Sequence, residues 1–393
     1  MALCYHETLG VLLERGLGMA RQTQNPMKVL LVVNSLILAG AEMLVRELAP
    51  RLRDRGLEVE VAVLKLLDSP LEEQLHQLGI PLWLAHPAGI YSPRQVRGLA
   101  PRMAEFDLVH SHLFPAQLWV PLAAKRARRR PLLVTTEHNT SNRRRTPWLR
   151  PLDRWMYRSY DAIACNSQDT ADALVKWLPR SLPPTCVIHN GIPLEQFRNA
   201  PEVSRAAILG GDAPRLAINV ARLEPQKDQA TLLRATALLP PDVHVALVGD
   251  GSMRPAFERL ASDLGITSRV HFLGRRPDVP ALLKMADIFV LSSLYEGFGI
   301  STLEAMAAGV PVVASAVAGL AEMLGDAGLQ FAPGDAAALA RQMAALLDSR
   351  ELRASQAAAG LRRAAQFSIE ACADAHVALY ESLARQGKAA APR

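Results

Sequence analysis

Short apolar runs alternate along the chain with amphipathic stretches of helix length. Residues 29–33 form an apolar run rich in β-branched side chains, which indicates a buried strand, and a helical pattern follows it. The same order recurs in both halves and predicts parallel sheets with crossover helices. Further strands are predicted at 57–64, 107–110, 132–136, 161–165, 185–189, 215–220, 243–249, 269–273, 287–292 and 310–314, and second-half helices at 228–239, 253–264, 279–285, 300–308, 319–324 and within 336–384.

This pattern divides the chain into two halves. A turn signal at 190–193 is followed by polar, pattern-poor residues 195–213, where we expect an interdomain linker. The predicted fold class is α/β, with two Rossmann-like, doubly wound parallel-sheet domains that face a central cleft at the carboxyl ends of their strands. We expect the first domain at 27–195 and the second at 205–366. Residues 1–26 form an N-terminal extension, either a short amphipathic helix or the product of a start codon assigned too early.

The composition indicates a net positive charge and a reducing environment. The 393 residues carry a net charge of +6, with cationic runs at 125–130 and 143–145 that suit solvated faces, phosphate or an anionic membrane surface. The scattered cysteines at 4, 165, 186 and 372 include no Cys-x-x-Cys, so neither a zinc site nor a disulfide framework is predicted. No apolar run reaches the roughly 18 residues of a membrane span. We expect a cytoplasmic protein without a nucleic-acid partner, with a peripheral position on the inner membrane face as the alternative.

The most informative segment is 295–304. Glu296 and Glu304 flank a Gly297-Phe298-Gly299 turn that lies between a predicted strand and a predicted helix. A strand, a glycine turn and a helix start form an anion site, because free backbone N–H groups and the helix dipole point at a phosphate. Carboxylates on both sides of that cradle suggest a ligand with hydroxyls flanking its phosphates, such as a nucleotide sugar.

A second cluster lies at the end of the strand 215–220. Arg222 and Lys227 are five positions apart in a loop that also contains Pro225. On the same sheet edge as the glycine turn, these cations could clamp a diphosphate. No Asp-x-Asp pair exists in the chain, so we predict that the cations and the helix start neutralise the diphosphate and that no metal takes part.

Three histidines follow successive strands of the first half. His110 and His112 end one strand and His138 ends the next, where ligands bind in such sheets. A structural role for these histidines is equally compatible with the sequence, and no neighbouring carboxylate or cysteine completes a metal-ligand set. Gly40 follows the first strand, where it serves either close approach of backbone to a phosphate or an ordinary helix entry. The Gly-Asp-Gly at 249–251 lacks the third glycine of a dinucleotide fingerprint, which argues against NAD.

Taken together, these motifs resemble those of family 4 glycosyltransferases with the GT-B fold. The resemblance rests on the E-x7-E segment 296–304, the Arg222 and Lys227 pair, the turn 248–251, the run 304–313, and the segments 136–139 and 189–192. These segments follow the family's order between about 27 and 380. One departure is Ala39, where the pattern often has a second glycine.

The resemblance implies roles for particular residues. Arg222, Lys227 and Gly40 would bind the donor diphosphate together with the 297–299 backbone, and Glu304 would hold the nucleotide ribose. Glu296 and His138 would contact the donor sugar as the catalytic residues. The C-terminal helix, 367–393, would cross back to the first domain.

The family retains the anomeric configuration, so the resemblance implies a retaining hexosyltransferase. No carboxylate is convincingly placed as a nucleophile, which favours front-face attack with Glu296 as an orienting group. The acceptor would be a saccharide or a polyprenyl-linked saccharide. His112 and the cations Arg143, Arg144 and Arg145 are its candidate contacts, because the triplet follows the His138 strand end.

Two alternatives of other classes remain at this stage. A nucleotide-sugar epimerase shares the architecture but needs more acid and base groups. A non-catalytic nucleotide-sugar-binding protein does not require turnover. A nucleotide sugar is the predicted partner in every case, and no cofactor is expected beyond that co-substrate.

Overall fold

The computed structural model describes residues 26–37, 40–140, 144–180, 182–211 and 214–390, with side chains described up to residue 386. Strands and helices alternate throughout these ranges. The strands are β1 Lys28–Val33, β2 Glu58–Val63, β3 Leu82–Leu84, β4 Leu108–His112, β5 Leu132–Glu137, β6 Ala162–Cys165, β7 Thr185–Val187, β8 Arg215–Val220, β9 Val243–Val248, β10 Val270–Gly274, β11 Ile288–Leu291, β12 Val312–Ser315 and β13 Leu329–Phe331. The helices are α1 Gly40–Asp54, α2 Pro70–Gln77, α3 Gln95–Met103, α4 Ala116–Ala124, α5 Arg150–Arg158, α6 Gln168–Trp177, α7 Leu194–Arg198, α8 Arg205–Leu209, α9 Gln229–Ala237, α10 Arg254–Asp263, α11 Val279–Lys284, α12 Ile300–Ala307, α13 Ala318–Leu324, α14 Ala336–Asp348, α15 Arg350–Ala364 and α16 Ile369–Ala390.

The strands form two parallel sheets. The first has seven strands in the order β3-β2-β1-β4-β5-β6-β7, and the second has six in the order β10-β9-β8-β11-β12-β13. Their central strands are continuous apolar runs with both faces covered, as parallel sheets require. The order reverses between β1 and β4 in one sheet and between β8 and β11 in the other. Such reversal points open a crevice at the carboxyl ends of the strands, where ligands bind.

The chain divides into two compact units. One contains the described residues up to Gly191 together with those from Ile369 onward, so helix α16 belongs with the first sheet. The other is Ile192–Ser368. The predicted fold class, two Rossmann-like α/β domains, is confirmed.

The described part of the expected linker, residues 195–211, contains nearly all of helix α7 and all of helix α8. It belongs to the second unit, where Phe197 is buried in the core and Ile208 packs against it. A stretch without a clear apolar period thus folds because a few apolar side chains reach an existing core. Strands β3 and β13, of three residues each, were also missed, because the sequence analysis singled out no apolar run at either place.

Candidate functional site

The glycine turn of the second unit lies where the sequence placed it, between β11 and α12. Gly299 has φ +76° at the N-cap of α12, a left-handed conformation that favours glycine. The first N–H groups of a helix lack partners within the helix, so this turn presents donors and the positive end of the helix dipole. The side chain of Phe298 packs edge-on against Phe367 with ring centroids 5.5 Å apart. The backbone of Phe298 forms the middle of the glycine turn.

Lys227 and Glu296 form an ion pair across the reversal point between β8 and β11. Their side chains are only 15% and 9% exposed. Ser293 donates a hydrogen bond to the same carboxylate oxygen of Glu296 over 2.8 Å. A buried pair of this kind holds both charges in fixed positions, because either charge alone is costly to bury.

Hydrogen bonds join the two loops that carry this pair. The Ser292 hydroxyl lies 3.0 Å from the carbonyl of Lys227 and 2.9 Å from that of Asp228. The Leu294 N–H donates to the Gln226 carbonyl over 2.8 Å. The loop after β8 and the glycine turn after β11 therefore form one connected structure at this sheet edge.

Arg222 lies in the same β8 loop, and its side chain is exposed. Its guanidinium makes no hydrogen bond or ion pair with any residue in the described ranges, so its donors are available to a ligand. The Gly-Asp-Gly turn at 249–251 packs against the backbone of the loop after β8. A Cβ at Gly249 or Gly251 would collide with the backbone of Ala221 or Leu223, so these glycines allow close packing of two turns. This agrees with the interpretation of a structural turn.

Gly319 also shapes the site, and we did not predict it from the sequence. It lies in the first turn of α13, and a Cβ there would collide with the carbonyl of Gly297. The start of helix α13 therefore packs directly against the backbone of the glycine turn. The sequence did contain a signal for this contact. A glycine among apolar residues at the start of a helix often marks a place where another backbone comes close.

Glu304 is a buried carboxyl group one turn into α12. It is 7% exposed and has no hydrogen-bond or ion-pair partner within the described chain. Burial raises the pKa of Glu304 from 4.5 to about 8. A carboxyl group that is buried without a partner can accept hydroxyl donors from a ligand, as the ribose role requires.

In the first unit, His112 and His138 meet at the ends of β4 and β5. The His112 Nδ1 lies 3.2 Å from the His138 Nε2. Burial lowers the pKa of His138 to about 3 and that of His112 well below its usual range, with a further contribution from the neighbouring histidines. Both rings are therefore neutral at pH 7, and each carries one proton.

A second chain of contacts comes from helix α16. His110 Nδ1 lies 2.6 Å from the Tyr380 hydroxyl, and His110 Nε2 lies 2.8 Å from the Thr136 hydroxyl. The ring of His376 lies 5.5 Å from that of His110. Burial lowers the pKa of His376 to about 4 and that of His110 well below its usual range. The sequence did not indicate His376 and Tyr380, because their proximity depends on how α16 packs.

A small cavity of about 50 Å³ opens beside these histidines. It brings His138 and Arg144 together. Its walls are Leu113, Phe114, Gln117, Thr136, Glu137, His138, Asn139 and Arg144. The cavity therefore lies at the carboxyl edge of the first sheet, with both apolar and polar side chains in its walls.

Asn166 was also missed, although it directly follows the predicted strand β6. Its amide donates to the His138 carbonyl over 3.1 Å. The strand-end rule alone could have indicated it.

Two arginines of the triplet, Arg144 and Arg145, contact the protein and do not form a fully solvated cationic surface. The Arg144 guanidinium lies 3.8 Å from Asp153 and 3.9 Å above the ring of Phe114. The Arg145 guanidinium donates to the Thr140 carbonyl. Arg143 lies outside the described residues. The two described arginines thus hold the loop after β5 against the protein.

Gly40 is the first residue of α1, close after β1 at the other reversal point. The approach of its backbone to the donor diphosphate stays a prediction. Within the described ranges, no group of three or more His, Cys, Asp or Glu side chains has the arrangement of a metal site. No helix of the described chain is long and apolar enough to span a bilayer.

Comparison with known proteins assigns both halves to glycosyltransferases. The model for Glycosyltransferase Family 4 matches residues 38–196, and the model for Glycosyl transferases group 1 matches residues 202–363. The putative glycosyltransferase EpsD of Bacillus subtilis is 30% identical over 347 residues, which cover 83% of this chain and 90% of EpsD. The lipopolysaccharide core biosynthesis mannosyltransferase LpsB of Rhizobium meliloti is 32% identical over 262 residues, 63% of this chain and 72% of LpsB.

Solved structures give the same assignment. The crystal structure of Anabaena HepE in complex with UDP and glucose superimposes with a TM-score of 0.78 at 26% identity, covering 91% of this chain and 100% of HepE. The two parallel sheets and the E-x7-E segment on its glycine turn indicate the same family as the extended match to EpsD. The chain belongs to the family 4 glycosyltransferases with the GT-B fold.

Proposed function

We propose that this glycosyltransferase transfers a hexose from a UDP-sugar to a hydroxyl of a saccharide or lipid-linked saccharide, with retention of configuration and without a metal. The observation that carries the proposal is the Lys227–Glu296 ion pair beside the glycine turn at the β8–β11 reversal point. There, Arg222, Lys227 and the start of α12 supply positive charge for a diphosphate. Glu304 supplies a partner for ribose hydroxyls.

The choice of UDP over GDP is supported by HepE, which was crystallised with UDP and glucose. The proposed acceptor class is supported by LpsB, whose name places it in lipopolysaccharide core biosynthesis. We therefore place this chain in the assembly of a cell-envelope polysaccharide or glycolipid. Both features are proposals for this chain.

Retention is supported by the state of Glu296. Its carboxylate is already bound by Lys227 and Ser293, so its charge is compensated and a role in orienting the sugar suits it better than attack on the sugar. In the proposed step, the bond from the anomeric carbon to the UDP oxygen breaks while the acceptor oxygen bonds on the same face. The acceptor proton passes to the departing diphosphate, so no enzyme base is consumed.

A ligand panel tests the donor assignment. Thermal unfolding is measured with UDP, GDP and their hexose conjugates, each with EDTA present. We expect UDP at 100 times its dissociation constant to stabilise the protein by about 2.7 kcal/mol. The variant Lys227→Met should lose this shift, whereas Arg259→Gln, an exposed cation on α10, should keep it. A larger shift with GDP, or none without added metal, would contradict the proposal.

A further inference from the structure

Three large apolar side chains are exposed at the start of helix α5. Trp148 is 90% exposed, in a 3-10 turn that leads directly into α5, and Leu149 and Leu152 are 38% and 36% exposed. Trp148 and Leu152 are four positions apart on this continuous helical segment, and Leu149 and Leu152 are three apart, so these side chains are neighbours. The segment therefore presents an apolar patch to solvent.

Cations border the apolar patch. Arg154 and Arg158 are exposed and lie one helical turn apart on α5. Neither makes an ion pair or a side-chain hydrogen bond with any residue that the structure describes. The ammonium of exposed Lys125 lies 4.7 Å from the centroid of the Trp155 ring, which adds a third cation beside the same helix.

Negative charge is absent from the exposed part of this segment. Asp153 is the only carboxylate between residues 144 and 160, and its side chain is 1% exposed. Asp153 accepts a hydrogen bond from the Trp177 indole over 3.0 Å and lies near Arg144, so it faces the protein. The outer face of α5 is therefore apolar and cationic.

We propose that the outer face of α5, formed by Trp148, Leu149, Leu152, Arg154 and Arg158, docks on an anionic lipid surface. An exposed tryptophan is suited to the level of the lipid headgroups, where its ring is partly buried and its N–H stays hydrated. Aliphatic neighbours add apolar burial, and each cation near the surface adds attraction to anionic lipids. The proposal goes beyond the transfer reaction and does not depend on which donor is used.

This assignment replaces the membrane contact expected from the arginine triplet. Arg144 and Arg145 are held inward by Asp153, Phe114 and Thr140, so their charges are not free to meet lipid headgroups. The exposed groups lie up to a few helical turns further along the chain. The distinction can be tested, because the two sets of cations can be changed separately.

Vesicle co-sedimentation of the full chain tests the proposal. The probes are vesicles of phosphatidylcholine alone and vesicles mixed with phosphatidylglycerol. We expect binding to the mixed vesicles only, weakening as salt is added. Trp148→Ser combined with Leu152→Ser should weaken binding at least about tenfold. Arg154→Gln and Arg158→Gln should each weaken it about fivefold at low salt.

Matched controls come from the second unit. Leu238→Ser removes an apolar side chain that is 64% exposed, and Arg234→Gln removes an exposed cation; both should bind vesicles like the wild type. Equal binding of the wild type to both kinds of vesicle, or no binding, overturns the proposal. Unchanged binding by the Trp148 variant also overturns it, as does a change of its oligomeric state alone, which would assign the patch to a protein interface.

Discussion

At the residue scale, Glu304 combines burial with an ionisable group that has no partner in the described chain. Its folded-state pKa of about 8 exceeds the value of 4.5 expected in the unfolded chain. Between these values the folded protein holds a proton that the unfolded chain has released. Stability therefore falls as pH rises from 4.5 to 8, by up to about 1.4 kcal/mol per pH unit.

Glu304→Gln should remove this pH dependence. We expect the variant to unfold at a higher temperature than the wild type at pH 8 and at nearly the same temperature at pH 4.5, because the amide does not ionise. Calorimetry across this range measures the difference. A variant that is equally or less stable at pH 8 would contradict the buried, unpartnered carboxyl group. UDP affinity should fall in the same variant if Glu304 binds the ribose.

The contact between His112 and His138 allows a prediction about proton positions. His112 Nε2 is buried without a partner within the described chain. A buried N–H without an acceptor is rarer than a buried lone pair without a donor. The proton of His112 therefore belongs on Nδ1, where it is donated to His138 Nε2, and His138 must carry its own proton on Nδ1. In this arrangement, His138 Nδ1 is a hydrogen-bond donor, as the proposed contact with the donor sugar needs.

Nitrogen-15 NMR of the histidine rings tests this arrangement. We expect the Nδ1–H tautomer for His138 in the wild type and a shift towards Nε2–H in His112→Phe. Turnover should fall about 10- to 100-fold, as for other partners that orient a functional imidazole. The control is His244→Asn, which changes a histidine of the second unit. It should alter neither the His138 tautomer nor the turnover. Finding His138 already in the Nε2–H form would refute the proposed orientation.

At the scale of elements, the proposed donor site depends on the two loops that the Lys227–Glu296 ion pair joins. Lys227→Met removes the ammonium group that balances the buried charge of Glu296, so we expect a loss of about 3 kcal/mol of stability as well as of activity. The double variant Lys227→Met with Glu296→Gln should recover most of the stability and none of the activity. Chemical denaturation measures both. A double variant as unstable as the single one would show that charge burial is not the cause.

Gly319 tests the packing behind the glycine turn. Gly319→Ala inserts a methyl group against the Gly297 carbonyl, so the turn must move. We expect UDP affinity to fall at least about tenfold, since the N–H groups of the turn no longer point at the phosphate. Gly211→Ala is the control, because nothing lies within 4 Å of its added methyl group. Isothermal titration with UDP compares them; equal affinities would remove Gly319 from the site.

The sequence predicted elements better than it predicted contacts. Every strand inferred from an apolar run is present within a few residues, because a buried parallel strand must be apolar along its length. Lys227 and Glu296 were identified separately, but their ion pair joins residues 69 positions apart and depends on β8 lying beside β11. Tyr380 reaches His110 across 270 positions, which no local pattern indicates.

At the scale of the whole molecule, the donor contacts predicted on the second sheet belong to one compact unit, Ile192–Ser368. We expect UDP to slow amide hydrogen exchange within the β8 loop and the start of α12, because ligand binding stabilises the elements that it contacts. Mass-spectrometric exchange with and without UDP measures this. Protection confined to β4, β5 and their loops would place the nucleotide in the other unit.

The proposed reaction is retaining, metal-independent transfer from a UDP-sugar. Proton NMR of the product formed from a UDP-α-hexose, with EDTA present and an acceptor saccharide supplied, tests it most directly. We expect a new α-glycosidic anomeric signal that is absent with Lys227→Met. A β-linked product, or transfer only after a divalent metal is added, would contradict it.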